Sequence, residues 1–382
     1  MNIVMDFIAA YSICVAAYLL ALSIASLLPA KRITGGNALV NRILVLLPVY
    51  KEDEVILESA QKALGLDYNR SKFDVAVIAD SLQEETKVQL GEMGCRVVEM
   101  NLRPRSKAKA INLALREIPE AYDICVVLDA DNYFSADALV QINAVFNSGA
   151  KAIQCQRVAK EITTPISVLD ALSEGINNSI FRRGHRRINL SAALAGSGMA
   201  FDYFLFQKVM KKIEATNGFD KDLEFEVIST GEKIEYLETV PVFDEKVNSL
   251  EVLQKQRTRW FAAQIINIRK GFLFFIKSPS LDLLDKWWQM FLPSRLLLVG
   301  FFLAATIVSA LLQNDSTTKI LAVSTALTTI ALLIAAPFRY LKGNTRALLH
   351  LPVSFVTLIF SMLSIGKARK GFIHTPHSHS KA

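Results

Sequence analysis

Two aspartates separated by one small residue, Asp129-Ala130-Asp131, follow an apolar run, Ile124-Cys125-Val126-Val127-Leu128. The run predicts a buried strand that delivers both carboxylates to its C-terminal end, the edge at which open α/β sheets bind ligands. Two oxygens on adjoining turn positions can hold Mg²⁺ or Mn²⁺ with few protein ligands, leaving coordination sites for phosphate oxygens and water. A metal diphosphate would sit there. Asp-x-Asp also arises by chance, and capping of a following helix at Ser135 or Asp137 is the competing reading.

The elements that would position these carboxylates recur through the first half of the chain. Strands are predicted at Ile43–Leu47, Asp74–Ile78, Arg96–Met100, Ile124–Leu128 and Lys151–Cys155, with helices at Glu54–Leu66, Glu84–Met93, Lys107–Ile118 and Ser135–Asn147. Such β-α alternation implies a mostly parallel sheet with helices on both faces. Strand ends carry Glu52, Asp80, Asp129 and Asp131; Asp80 and Glu52 can accept hydrogen bonds from a base or ribose, with a turn or cap role as the alternative for each. No GxGxxG follows the first strand and no GxxxxGK[ST] occurs, which argues against a dinucleotide oxidoreductase and a P-loop NTPase. Of the basic run Arg103, Arg105, Lys107 and Lys109, the spacing of Lys109 and Asn112 puts those two on one helix face, able to meet a phosphate or sugar together; the others read as a solvated face.

Composition sets outer limits. The chain has 382 residues, 52% of them hydrophobic and 21% charged, with a formal net charge of +7. Its mean hydropathy is positive, so a membrane section and a water-facing section are expected. The positive charge suits an anionic substrate or headgroup surface, and solvated lysines explain it equally. Cys14, Cys95, Cys125 and Cys155 show no CxxC spacing and read as packed free thiols in a reducing compartment.

Phe7–Leu28 is an apolar run about as long as a bilayer-crossing helix. A signal peptide is the rival reading, but no basic region precedes the run, and Lys31 and Arg32 follow it, which places the next domain in the cytoplasm. Further on, Phe181–Arg187 is strongly basic; beside a bilayer, attraction to anionic headgroups is favoured over a nucleic-acid patch. Gly196-Ser197-Gly198-Met199 reads as a tight segment that a ligand can approach closely, and Phe201–Phe206 as the start of a buried helix. Asp220-Lys221-Asp222-Leu223-Glu224 is a second acidic cluster. Gln256-Arg257-Thr258-Arg259-Trp260 supplies an amide, a bidentate phosphate donor and a flat stacking surface, or else a core-edge tryptophan with solvated arginines. Lys270–Gln289 reads as an interfacial helix, and Leu296–Leu312, Ile320–Phe338 and Ala347–Ile365 as near-minimal spans. These crossings would put Lys367, Arg369 and Lys370 outside, against the charge bias, with an interfacial or re-entrant segment as the alternative. His374, His377 and His379 suggest a metal or, on spacing grounds, a mobile tail.

In order, PVYKE, the strand-end Asp80, KAKAIN, DAD, GSGMAF, DKDLEFEV and QRTRW resemble the motif series of membrane-embedded family 2 glycosyltransferases, the group containing cellulose, chitin, hyaluronan and poly-N-acetylglucosamine synthases, over roughly residues 40 to 270. The resemblance implies an α/β GT-A-like fold, its mostly parallel sheet flanked by helices, plus α-helical transmembrane segments. It implies a nucleotide-sugar donor, UDP-linked before GDP-linked, with Mg²⁺ or Mn²⁺ as cofactor. Carried over by position, Pro48, Tyr50, Glu52, Asp80, Lys109 and Asp129 would bind the donor and Asp131 the metal. Asp222 would be the general base, Gln256, Arg259 and Trp260 would line the acceptor and diphosphate region, and Gly196, Ser197 and Gly198 would shape the acceptor pocket.

Two departures matter. The family has two acidic residues or Asp-Gly where this chain has Ala79-Asp80-Ser81, and Thr-Glu-Asp where it has Asp220-Lys221-Asp222. Lys221 beside the base is expected to lower its pKa and weaken it, which keeps Asp220 as a second candidate base. The resulting organisation is an N-terminal transmembrane helix at 1–30, a cytosolic transferase domain at 31–267, an interfacial amphipathic helix at 268–292, transmembrane helices at 293–366 and a basic, His-rich tail at 367–382. The expected partners are the donor, a glycan or lipid acceptor and the bilayer, with no nucleic acid. The expected setting is the plasma (inner) membrane, crossed several times. Extension of a polysaccharide is the leading reading, and a single addition to a ceramide or polyprenyl phosphate the alternative.

Overall fold

The computed structural model describes residues 2–30, 39–103, 105–214 and 218–368. Its centre is an eight-stranded sheet: β1 (Ile43–Tyr50), β2 (Phe73–Asp80), β3 (Arg96–Glu99), β4 (Ile124–Val127), β5 (Tyr133–Phe134), β6 (Ala152–Ala159), β7 (Met199–Asp202) and β8 (Ile234–Asp244). The spatial order is β3-β2-β1-β4-β7-β6-β8-β5. β1, β2, β3 and β4 pair in parallel, as the β-α alternation requires. β7 enters antiparallel between β4 and β6, and β8 runs parallel to β6 with an irregularity after Cys155.

Sheet residues alternate between two cores. Leu44, Leu46, Ala76 and Ile78 pack under the helices Lys107–Glu117, Tyr203–Met210 and Phe219–Ser229, whereas Ile43, Val45, Leu47 and Val75 pack under Asp53–Leu64 and Ala138–Asn147. Burial on both faces is why β1 and β4 are continuous apolar runs with no polar alternation.

Three expectations need correction here. Phe201 does not begin a helix: Met199–Asp202 is β7, and the helix starts at Tyr203, where the Asp202 side chain accepts from Leu205 N–H at 3.0 Å. A short apolar run serves either element, and the gap between β4 and β6 takes this one as a strand. The single helix expected over Lys270–Gln289 is two: Leu250–Lys277 runs unbroken through 267, and Leu281–Gln289 begins after Ser280, whose hydroxyl caps Leu283 N–H. The second helix buries Asp282, Asp285, Lys286 and Gln289, so its polar residues are held inside the protein.

The basic run is likewise spent internally. Arg182 pairs with Glu174 at 2.7 Å, Arg183 and Arg187 share Glu238, Arg186 meets Glu235, and His185 meets Asp285 at 3.0 Å. These partners occupy the charges assigned above to lipid headgroups. The same stretch seats the N-terminal helix, since a Cβ on Gly184 would lie 2.4 Å from Leu22 O.

Among the described residues, Ile3–Ala25, Asp315–Ala335 and Thr345–Leu363 are long and apolar enough to cross a membrane. Arg295–Leu311, at 17 residues, is apolar but shorter. Asn2–Ala25 packs along Asp315–Ala335 with Ser12 Oγ 3.0 Å from Ser324 Oγ, a small-residue contact of the kind that holds helices together in lipid. Lys31, Arg32, Arg369, Lys370, His374, His377 and His379 lie outside the described residues.

Candidate active site

The cleft opens where β1 and β4 part. Their pairing ends at Leu46 and Val127, and Leu128 N–H still reaches Leu46 O at 3.0 Å. Pro48 follows. Lys51 N–H bonds Asp80 O at 3.1 Å on the β2 side, so the alternation of the ladder turns the Pro48 nitrogen toward the vacated β4 side, where no donor is needed. The next residues after β1 and β2, Lys51 and Ser81, have φ of 58° and 62°, a left-handed conformation that non-glycine residues adopt at a cost and that clusters at ligand-binding turns.

Asp80 is buried at the end of β2, and Arg105 Nε and Ser81 Oγ donate to its Oδ1 at 2.7 and 2.9 Å. The Arg105 guanidinium also stands 5.1 Å from the centre of the Tyr50 ring. Tyr50, Asp80 and Arg105 therefore form one corner of the cleft, and Glu52 sits at the N-cap position of the helix Asp53–Leu64 beside it.

The paired aspartates form the second corner. Lys107 Nζ bonds Asp129 Oδ1 and, at 2.6 Å, Gly196 O. Ser197 Oγ accepts from Asp129 N–H at 2.9 Å. The Asn132 amide is oriented with its nitrogen toward Asp131, 2.8 and 3.1 Å from the two carboxylate oxygens, and its oxygen accepts from Ser197 Oγ at 2.9 Å; the opposite orientation would set oxygen against oxygen. Asp131 is buried. Neither aspartate caps the next helix, and Asp137, at the N-cap of Ala138–Asn147, makes no side-chain cap bond.

Lys109 does not join this corner. It donates to Arg103 O at 3.3 Å, and Asn112 is spent on Met210 O at 2.9 Å. Ser106 caps the helix so that Lys107 is its first residue, and two positions further on the side chain points elsewhere. The cation read as solvated is the one that reaches the aspartates.

The loop after Ala193 ties the site together. Leu194 N–H donates to Glu224 Oε2 at 2.9 Å, Ala195 N–H to Gln154 Oε1 at 2.8 Å, and Gln154 Nε2 to Ser197 O at 2.9 Å, while Ala195 O accepts from Arg157 at 3.2 Å. Gly196 and Gly198 have φ of 83° and 64°, and a Cβ at 198 would lie 2.4 Å from Val242 Cγ2. A Cβ at 196 would face Asp220 Cβ at 4.0 Å, which brings the second acidic cluster to the same loop.

That cluster opens the helix Phe219–Ser229. Lys270 Nζ donates to both oxygens of Asp222, at 2.9 and 2.7 Å. Lys221 turns away to Glu224 Oε2 at 2.9 Å. The expected neighbour of the base is thus the wrong lysine: i,i+3 geometry pairs Lys221 with Glu224, and the cation on Asp222 comes from a distant helix. Burial pushes the Asp220 carboxyl above the ordinary carboxylate range, against the pull of the Lys221 charge.

Gln256 to Trp260 lie on the helix Leu250–Lys277. Trp260 is 42% exposed, with the Arg257 guanidinium 4.1 Å from its ring centre and bonded at 2.7 Å to Asp170. Gln256 Oε1 is buried without a hydrogen-bond partner, and burial holds the Arg259 pKa below its usual value. One turn beyond Trp260, Ala263 Cβ faces Gly218, the N-cap of the helix that bears Asp222. The tryptophan therefore lies about one helical turn, or roughly 5 Å along the axis, from the residue that abuts the acidic helix.

The chain matches the family described as "Glycosyltransferase like family 2" over residues 41–263, more than half its length. It belongs to that family. No curated protein sequence matches it significantly. Among solved structures, the glycosyltransferase-like chain is similar to the mannosyltransferase PcManGT from Pyrobaculum calidifontis, determined with GDP-mannose and Mn²⁺. That likeness has 18% identity, a TM-score of 0.59, and coverage of 94% of this chain and 99% of that one, which establishes a shared fold. TarS residues 1–349 from Staphylococcus aureus (12% identity, TM-score 0.44, covering 85% of this chain and 91% of that one) resemble it more distantly. So does glucosyl-3-phosphoglycerate synthase from Mycobacterium tuberculosis with Mn²⁺, UDP and phosphoglyceric acid (16%, 0.38, 56% and 73%).

Lys107, Asn132, Gln154, Arg157, Glu224 and Lys270 of this glycosyltransferase-like chain carry the site's contacts beyond the residues assigned roles from sequence. Asn132 directly follows Asp131 and was the easiest to find from sequence; Lys270 and Arg157 come from elements whose proximity no local pattern announces.

Proposed function

We propose that the chain transfers a sugar with inversion from a nucleotide-linked donor, read as a UDP-linked hexose or N-acetylhexosamine, to an acceptor at a membrane boundary. The observation that carries this is one loop, 194–198, bonded to Asp129 through Lys107 and Ser197, and to the acidic helix through Glu224.

Tyr50, Glu52 and Asp80, beside Pro48, are assigned to the base and ribose. The single hard carboxylate of Asp131, oriented by the Asn132 amide, fits a divalent cation that takes its other ligands from a diphosphate and water; among the described residues no cluster of three protein ligands exists. When bound, Mg²⁺ or Mn²⁺ supplies positive charge to the departing diphosphate. Asp129, on Lys107, is assigned to accept from a sugar hydroxyl. Asp222 takes the proton of an acceptor hydroxyl as it attacks the anomeric carbon, with Asp220, whose pKa burial raises, as the second candidate. Arg259 is assigned to the diphosphate and Trp260 and Gln256 to the acceptor, with Gly196 to Gly198 as the floor between them.

Membrane crossing by the apolar helices, several passes and a cytoplasmic transferase domain belong to the same proposal. The product is read as an extended polysaccharide, with single addition to a lipid as the alternative. The test is release of nucleotide by purified protein from a panel of UDP- and GDP-sugars with Mn²⁺ or Mg²⁺, followed by product length with labelled donor. No metal-dependent release from any donor refutes transfer.

A further inference from the structure

Behind the loop 194–198 lies a second group of charges, joined to the transfer site through Arg157. Arg157 bonds Ala195 O and Asp244, and Asp244 also takes Lys246 at 2.5 Å. Arg182 pairs with Glu174, and Arg257 with Asp170. Arg295 Nη1 donates to Asn177 Oδ1 at 2.5 Å, and Nη2 to Ser173 O and Oγ at 3.2 and 2.9 Å, all neutral acceptors; no carboxylate lies within ion-pair distance of it among the described residues. Arg157, Arg182, Lys246, Arg257 and Arg295 thus face Glu174, Asp170 and Asp244. Although burial opposes ionisation of Glu174, Arg182, Arg157 and Lys246 hold it well below the usual carboxylate range, and Asp129 also acts on Arg157, which leaves Arg295 as the cation of this group without a carboxylate at ion-pair distance among the described residues. A largely enclosed guanidinium with only neutral acceptors is costly unless an anion joins it.

The location says which anion. Arg295 is the first residue of the apolar helix Arg295–Leu311 and remains partly open to solvent. Pro337, just past the end of Asp315–Ala335, presses on Gly175 of the helix that carries Asp170, Ser173 and Glu174. Arg257 lies against the exposed Trp260 ring on the same side. Phosphate oxygens suit the fork of a guanidinium, and a ligand reaching Arg295 along these apolar helices must itself be apolar.

We infer that this cluster is an anion site for a lipid acceptor, with Arg295 and Arg257 gripping a phosphate of the acceptor at the level where the apolar helices begin. The inference rests on the transfer reading for the word acceptor, but the site is tested by binding alone, without a donor. In detergent, the wild-type protein is expected to bind farnesyl phosphate at least about tenfold more tightly than farnesol, the worth of one charge-assisted contact. Arg295→Gln is expected to remove that preference while UDP and GDP affinities stay unchanged, and Arg295→Lys to keep part of it. Equal binding of farnesyl phosphate and farnesol, or an unaltered preference in Arg295→Gln, overturns the site. A loss of nucleotide affinity in Arg295→Gln assigns the cluster to the donor diphosphate instead, and inorganic phosphate binding as tightly as farnesyl phosphate makes it a free-phosphate site; both outcomes also overturn it. If Arg295→Gln does not fold, the wild-type comparison and Arg295→Lys decide. Absence of nucleotide release in the donor panel, by contrast, sinks the transfer reading and leaves this binding result standing.

Discussion

Gly198 is the position at which the site's geometry can be broken with the smallest change. In Gly198→Ala the new methyl meets Val242 Cγ2 at 2.4 Å, with Val242 Cβ and Cγ1 at 3.2 and 3.3 Å, and φ stays at +64°. The left-handed conformation costs about 1–2 kcal/mol for an alanine, and overpacking into a filled strand adds about 1–3 kcal/mol. The sum, about 2–5 kcal/mol, corresponds to a Tm lower by about 2–6 °C at an unfolding entropy of about 2.1 cal/mol/K per residue. Function should suffer with it, because Gly198 O accepts from Cys155 N–H at 2.8 Å and from Gln154 Nε2 at 3.3 Å, and the adjoining Ser197 orients Asp129 and Asn132. Val242→Ala separates the two costs. Removing both γ-methyls leaves 3.2 Å to Cβ as the tightest contact, so the steric part is relieved while the conformational part remains. In thermal unfolding of the detergent-solubilised protein, the double variant should lose less than the two single variants combined, by about 1–3 kcal/mol. Strict additivity would show that Val242 does not set the loop, and the argument for why glycine stands here would fail.

Three further outcomes are expected. Asp131→Asn and Asp222→Asn should each lower metal-dependent nucleotide release by about 10²-fold or more, whereas Lys51→Asn, which suits the left-handed φ of 58°, should leave it within about twofold; the donor-release assay reads all three. Lys107→Met should reduce release and Lys109→Met should not, since only Lys107 bridges Asp129 and Gly196 O; the reverse ranking would restore the phosphate role read from sequence for Lys109. Asp220→Asn should raise the Tm at neutral pH. A carboxyl whose folded pKa is raised stabilises the fold below its unfolded value, near 3.9, and loses that contribution as pH rises through the folded value, so the gap between variant and wild type should close on acidification and is checked by Tm against pH.

The parallel half of the sheet was legible because its signals are local. β1 and β4 are unbroken apolar runs and β2 is one after Asp74, with Tyr50, Asp80 and Asp129 at or just past their ends, and helices such as Lys107–Glu117 show their buried face at 3.6-residue spacing. Asp80, Asp129 and Asp131 follow from position alone, since the C-terminal edge of such a sheet is where ligands collect. The apolar stretches near both ends announce themselves by length in the same way.

The tertiary structure decided what meets what. Met199–Phe201 could serve either element, and only the space between β4 and β6 makes it a strand that drags the glycine loop to Asp129. The lysine on Asp222 comes from position 270 and the one on Asp129 from position 107, while Lys221 and Lys109, the lysines suggested by spacing, turn to Glu224 and to Arg103 O. The basic run at 182–187 reads as a headgroup surface until Glu174, Glu235, Glu238 and Asp285 close on it. Periodicity reports which face of an element is buried, but ion pairs and hydrogen bonds act over about 3 Å. Partners at that range are chosen by how distant segments pack, and no spacing along the chain encodes it.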